Sequence, residues 1–204
     1  TKGLVMSKLI VGVGTGRCGT KSLTKLLSIQ KDTASTHERY GPKVRWGCPP
    51  NLWPIRLWRD TKRSEHNIAC DVAFYWTPHI ETFLNWADEE EREIKVVGLK
   101  RDRKDTIESY LKWKPYSDHW SYHGYRKTQP DEWDHCYPSM DTDSKREGIG
   151  LFWDRVYNTL AEIDDSRVKV FNSFSCFNTR MGVESILEHC GYEDKVVKEN
   201  IKIV

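Results

Sequence analysis

Gly12-Val13-Gly14-Thr15-Gly16-Arg17-Cys18-Gly19-Thr20-Lys21-Ser22 joins an apolar run to a helical one. A glycine-rich turn between a strand and a helix lets backbone N–H groups point at an anion, reinforced by the helix N-terminus. Three readings fit the spacing. Gly14-x-Gly16-x-x-Gly19 has the dinucleotide-binding form, with Glu38 about 20 residues further on, where an acid could hold a ribose. Gly14-x4-Gly19-Thr20-Lys21-Ser22 has the phosphate-loop form, except that Thr20 stands where the usual lysine belongs. A glycine turn can also serve the path of the chain alone. The side chains favour the phosphate loop. Arg17, Thr20, Lys21 and Ser22 gather cations and hydroxyls around one turn, which suits a terminal phosphate or sulfonate. A dinucleotide pyrophosphate is held mostly by backbone.

A second block, Val96-Val97-Gly98-Leu99-Lys100-Arg101-Asp102-Arg103-Lys104-Asp105-Thr106-Ile107-Glu108-Ser109-Tyr110, puts Arg101 at the end of an apolar run. If a helix begins near Asp102, Ser109 lies two turns in, and both residues can reach one anion. The plain alternative is a solvated, charged helix start.

These blocks need elements to hold them. Lys8–Val13 reads as a buried parallel strand, and Thr33–His37, Asn67–Val72, Ile94–Leu99 and Arg167–Phe171 read as four more. A helix is expected from Thr20, with Leu23, Leu26 and Leu27 on one face, and another after Pro78, with Ile80, Phe83, Leu84 and Ala87. Further helices are expected from about Asp102 to Trp113 and over 149–163, where Ile149, Phe152, Val156 and Leu160 belong to one stripe. A last one carries Val183, Ile186, Leu187 and Cys190 and is stopped by Gly191. Strands alternating with helices imply an α/β fold: a single-domain parallel sheet flanked by helices, covering 1–204, with an aromatic-rich insert at about 113–144. Open α/β sheets bind ligands at the C-terminal edge of their strands, where both blocks lie.

Together the two blocks resemble the P-loop sulfotransferases that use 3′-phosphoadenosine-5′-phosphosulfate (PAPS). The first loop of that family, [KR]-x-G-T-[TK]-x-L, is matched by Arg17-Cys18-Gly19-Thr20-Lys21-Ser22-Leu23. The second, R-D-x-x-[DE]-x-x-x-S, is matched by Arg101-Asp102 through Ser109. The likeness is firm over about 8–30 and 94–113, looser over 71–75 and 149–163, and absent in the insert. It implies that Arg17 sits by the transferred sulfonate and that Cys18, Gly19, Thr20, Lys21 and Ser22 hold the 5′-phosphate. Arg101 and Ser109 would bind the 3′-phosphate. PAPS would be the co-substrate, with no metal ion, and the acceptor a hydroxyl on a glycan or small molecule. Attack by a hydroxyl benefits from a proton acceptor. Glu38, His37 and Asp71 follow strands and are expected at the same edge, in that order of preference, although such residues are often structural hydrogen-bonders. The basic, glycine-containing loop that covers the adenosine in cytosolic members is reduced here to Arg180-Met181-Gly182. The rival readings are a P-loop kinase using ATP and Mg²⁺, and a nucleotide-binding module without catalysis.

Composition sets the outer bounds. With 32 Lys+Arg against 30 Asp+Glu, the chain is no general nucleic-acid coat or polybasic membrane binder. No apolar run approaches the ~18 residues of a membrane span, and a soluble, cytoplasmic setting is expected, with a trimmed luminal domain as the alternative. The six cysteines are too widely spaced for a zinc cage or a small disulfide framework and read as reduced thiols. His119, His123 and His135 are too scattered to suggest a metal site. Of nine tryptophans, Trp86 and Trp153 read as helix packing. Trp113, Trp120 and Trp133, with Tyr116, Tyr122, Tyr125 and Tyr137, read either as a floor for the acceptor or as packing for the insert.

Overall fold

Residues 8–113, 133–142 and 144–197 are described by the computed structural model of the chain. Its centre is β1 (Lys8–Gly14), flanked by β3 (Ile68–Val72) on one side and β4 (Ile94–Lys100) on the other. β2 (Thr33–His37) and β5 (Val168–Asn172) complete a five-stranded parallel sheet of order β2-β3-β1-β4-β5. The strands alternate strictly between two cores. Leu9, Val11 and Val13 face one hydrophobic cluster and Ile10 the other; along β4, Val96 faces the first and Val97 and Leu99 the second. A strand buried on both faces must be apolar throughout, which is why these runs were legible in the sequence.

The helices cover both faces. α1 (Thr20–Ser28) buries Leu23, Leu26 and Leu27 in the second cluster. α2 (Trp53–Lys62) and α3 (Ile80–Glu89) pack on the first, through Leu57 and Trp58 and through Ile80, Phe83 and Leu84. α4 (Arg103–Lys112) starts at Asp102, whose carboxylate accepts from the Asp105 amide, and buries Ile107 and Tyr110. α5 (Lys145–Glu162) begins a turn before its apolar stripe because Ser144 caps it, accepting from the Glu147 amide. α6 (Ser173–Asn178) and α7 (Arg180–His189) close the second cluster, with Phe177, Ile186 and Leu187 buried. α2 and α6 were not anticipated. The inward face of α2 is Pro54, Leu57, Trp58 and Thr61, of which only two read as apolar, and α6 has six residues, too few to show a period.

All six cysteines are buried and free. No helix among the described residues is long and apolar enough to cross a membrane. Trp58 and Trp76 are fully buried core residues whose indole N–H groups donate to Glu90 and Asp71, and Trp86 packs on Trp58 and Phe83. The expected insert is described only at its ends. Trp120, His119, His123, Tyr116, Tyr122 and Tyr125 lie outside the described residues.

Candidate functional site

The topology sets β1 between β3 and β4, so the loops after three neighbouring strands open on one edge. The loop after β1 runs through two left-handed residues, Gly16 at φ 73° and Arg17 at φ 52°, to Gly19 at φ 95°, which precedes the first turn of α1. At both glycines an added side chain would be strained by the positive φ and crowded by an aromatic ring or its hydroxyl. A Cβ on Gly16 would lie 2.5 Å from the Tyr110 hydroxyl, and one on Gly19 would lie 3.1 Å from the Phe177 ring. The amides of Cys18, Gly19, Thr20 and Lys21 find no backbone acceptor among the described residues, as expected for a helix start that offers its N–H groups to an anion.

The two sequence blocks meet here. Arg17 Nε donates to Ser109 Oγ at 3.2 Å, and Arg101 Nη1 donates to the Arg17 carbonyl at 3.1 Å. The Trp113 ring lies beneath the Arg17 guanidinium, 5.4 Å from its carbon, a cation–π contact that holds the cation in place. Tyr110, fully buried in α4, donates to the Thr15 carbonyl and ties the loop to the helix of the second block. Arg101 is in turn anchored from behind, since Trp153 Nε1 donates to its carbonyl at 3.0 Å. The packing expected of Trp153 therefore also supports the site.

A cavity of about 210 Å³ opens in front of the loop. Gly16, Arg17, Gly19, Thr20 and Lys21 form its cationic side. Phe74, Tyr110, Trp113, Trp133 and Tyr137 form an aromatic wall, in which Tyr137 stacks on Phe74 at 4.4 Å. His37 and Glu38, at the end of β2, complete the lining. Tyr110 and Phe74 had no assigned role in the sequence reading. Tyr110 directly follows Ser109, so its place in the second block was the available signal.

His37 and Glu38 are held differently. His37 Nε2 pairs with the Thr20 hydroxyl at 3.0 Å, so the imidazole braces the loop. Burial, and then the neighbouring charge of Lys21, pushes it down to about 4, leaving the ring neutral near pH 7. Its Nδ1 lies 3.7 Å from Glu38 Oε2. The Glu38 carboxylate accepts no hydrogen bond among the described residues. Burial, followed by repulsion from Asp71, pushes Glu38 up to about 7, against the opposing charge of Lys21.

The remaining expected residues sit elsewhere. Asp71 is not at the cavity surface. It is fully buried, with Oδ1 accepting from Thr36 Oγ1 at 2.6 Å and the Arg39 amide at 3.2 Å, and Oδ2 accepting from Trp76 Nε1 at 2.6 Å. A carboxylate with no exposed surface, outside the cavity lining, cannot meet an acceptor hydroxyl. Cys18 turns its thiol into the second core, close to Thr15 and Tyr157, where burial pushes it up. The Ser22 side chain is likewise buried.

No family model matches the chain, and no curated protein sequence matches it. Among solved structures, a sulfotransferase from Alicyclobacillus acidocaldarius aligns with a TM-score of 0.56 at 14% identity, over 96% of this chain and 85% of that one. Likeness at that identity is likeness of fold, and the fold is sulfotransferase-like.

Proposed function

We propose that the protein transfers a sulfonate from 3′-phosphoadenosine-5′-phosphosulfate to a hydroxyl, with a carbohydrate ahead of a phenol as acceptor. The observation that carries the reading is the junction of Arg17, Ser109 and Arg101. Arg17 and Ser109, 92 residues apart, are hydrogen-bonded at the cavity that Arg17, Tyr110, Trp113 and Glu38 line; Ser109 and Arg101 hold Arg17 but are not among the lining residues. The fold shared with a bacterial sulfotransferase is consistent with it.

When bound, the donor supplies a sulfonate joined to a phosphate leaving group, and transfer exchanges that S–O bond for one to the acceptor oxygen. The chain's residues have separate tasks. The amides from Cys18 to Lys21, which have no backbone acceptor among the described residues, would hold the 5′-phosphate together with Thr20 and the Lys21 ammonium. Arg101 and Ser109 would take the 3′-phosphate. Arg17, fixed through Nε, keeps its terminal nitrogens for the charge that grows on the leaving oxygen. Glu38 would accept the acceptor's proton: a carboxylate near 7 is matched to that work at neutral pH, whereas His37 is neutral but engaged with Thr20. The aromatic wall gives a sugar or phenol ring a flat face to stack on.

A kinase using ATP and Mg²⁺ would need an acid at the end of the strand beside the loop. The residue there is Asp71, whose oxygens are both occupied by protein donors. Thermal shifts with adenosine 3′,5′-bisphosphate, adenosine 5′-phosphate and ATP·Mg²⁺ separate the readings. At 100 times its Kd the bisphosphate should stabilise the fold by about 2.7 kcal/mol. Stabilisation by ATP·Mg²⁺ but not by the bisphosphate would refute sulfonate transfer. Bisphosphate binding without transfer to any member of a glycan and phenol panel would leave a binding module.

A further inference from the structure

Glu38 occupies the left-handed region at φ 50°, which costs an L-residue about 1–2 kcal/mol and persists only where the surroundings over-determine it. The over-determination comes from β3. Asp71 lies opposite Thr36 in the β2–β3 register. Its Oδ1 accepts from the Thr36 hydroxyl, two residues before Glu38, and from the Arg39 amide, one residue after it. Its other oxygen is fixed by Trp76. Glu38 itself donates through its amide to the Val72 carbonyl at 3.1 Å and accepts through its carbonyl from the Gly41 amide at 2.8 Å. The chain is thus gripped on both sides of one strained residue by a single buried carboxylate. Such a group is costly to bury, and no cation among the described residues lies within ion-pair distance of it.

We propose that Asp71 is a positioning residue, a clamp that locks the backbone of Glu38 in the left-handed conformation and so presents the Glu38 carboxylate to the cavity. The proposal rests on the reading of Glu38 as the proton acceptor for sulfonate transfer. It also assigns Asp71 an electrostatic task. The groups that face Glu38 are His37 beside it, Lys21 of α1, Asp71 of β3, Tyr75 of the turn after β3 and Tyr110 of α4. Of these Asp71 is the one that raises the proton affinity of Glu38 through its charge, with Lys21 opposing it.

The test uses the whole chain and needs no acceptor. Carboxyl-¹³C glutamate labelling, with the Glu38 signal assigned by its loss in Glu38→Gln, reads the titration midpoint. The intraresidue NOE between amide and Hα protons, strong at positive φ, reads the backbone. In the wild type a midpoint near 7 and a strong NOE are expected. Asp71→Asn keeps the size of the side chain, removes its charge and sets an NH2 donor against the Trp76 indole N–H; the midpoint should fall, and the NOE should weaken as the side chain is pushed off its partners. A folded Asp71→Asn with wild-type midpoint and NOE overturns the proposal, as does a wild-type midpoint near 4.5. If Asp71→Asn does not fold, Thr36→Val removes one arm of the clamp. Its loss in Tm should be smaller in a Glu38→Gly background, because glycine adopts this φ without strain. Equal losses in the two backgrounds overturn the clamp. None of these readouts involves sulfonate transfer, so a chain that passes them but transfers nothing refutes the proposed function while leaving the clamp standing.

Discussion

Gly16→Ala tests the geometry of the loop directly. The residue sits at φ 73°, and a side chain held there costs about 1–2 kcal/mol. Its Cβ would also lie 2.5 Å from the Tyr110 hydroxyl, well inside contact distance, so the phenol must withdraw. That hydroxyl donates to the Thr15 carbonyl from a fully buried position, and a hydrogen bond of this kind contributes about 1 kcal/mol net, rising to about 2 if the carbonyl is left unpaired. Together the terms give a loss of about 2–4 kcal/mol, or roughly 4–16 °C in Tm for a domain of this size. Urea melts of the variant, with bisphosphate titrations alongside, measure both stability and the state of the loop. The control is Tyr110→Phe, which removes the hydroxyl that the new methyl would meet. In that background Gly16→Ala should cost only the backbone strain, about 1–2 kcal/mol. A loss below about 0.5 kcal/mol, or the same loss in both backgrounds, would refute the argument that strain and the Tyr110 contact dictate glycine here.

Two further outcomes follow from the site. Arg101→Ala should weaken adenosine 3′,5′-bisphosphate binding by roughly 10–100-fold, since a charge-assisted hydrogen bond is worth about 1.5–3 kcal/mol, and should change adenosine 5′-phosphate binding far less; calorimetric titration showing equal losses removes the 3′-phosphate assignment. Glu38→Gln should alter the pH dependence of stability. A carboxyl raised from 4.5 to about 7 contributes stability that is full below about 4.5 and is lost as pH rises through about 7. Asp71, raised to about 6, acts with the same sign, while His37, lowered to about 4, contributes stability that is full above 6.5 and lost as pH falls through about 4. Only the Glu38 part disappears in the variant. The wild type should therefore lose more stability than Glu38→Gln between pH 4.5 and 7; matching urea midpoints across that range would show that Glu38 is not raised.

The central strands β1, β3 and β4 were legible because they are buried on both faces, and a run such as Leu9–Val13 has no other economical use. The meeting of Arg17, Ser109 and Arg101 was legible because each motif is local and the strand order brings the two loops together. Side-chain direction was the hidden part. Asp71 has the right residue type at the right strand end, yet Trp76, five residues later, draws its carboxylate into the core. His37 and Glu38 are adjacent, but only the left-handed turn at Glu38, set by a carboxylate on another strand, divides their tasks. Two of the tryptophans at the ends of the insert, Trp113 and Trp133, line the cavity, whereas Trp58 and Trp76 are core residues. Composition alone could not sort those rings.

The carbonyls at the end of β4 have a further consequence. Leu99 and Arg101 present their oxygens to Tyr157 and Trp153, so the strand end that carries Arg101 is fastened by α5, a helix more than forty residues later in the chain. Trp113 on one side of the intervening segment and Tyr137 on the other are independently seated, on Arg17 and on Phe74. Both rings are fastened beside the loop after β1, where they line the same cavity. The place of Arg101 thus depends on a helix outside both motifs, and loss of the Trp153 or Tyr157 hydrogen bond should loosen it without touching a residue that lines the cavity.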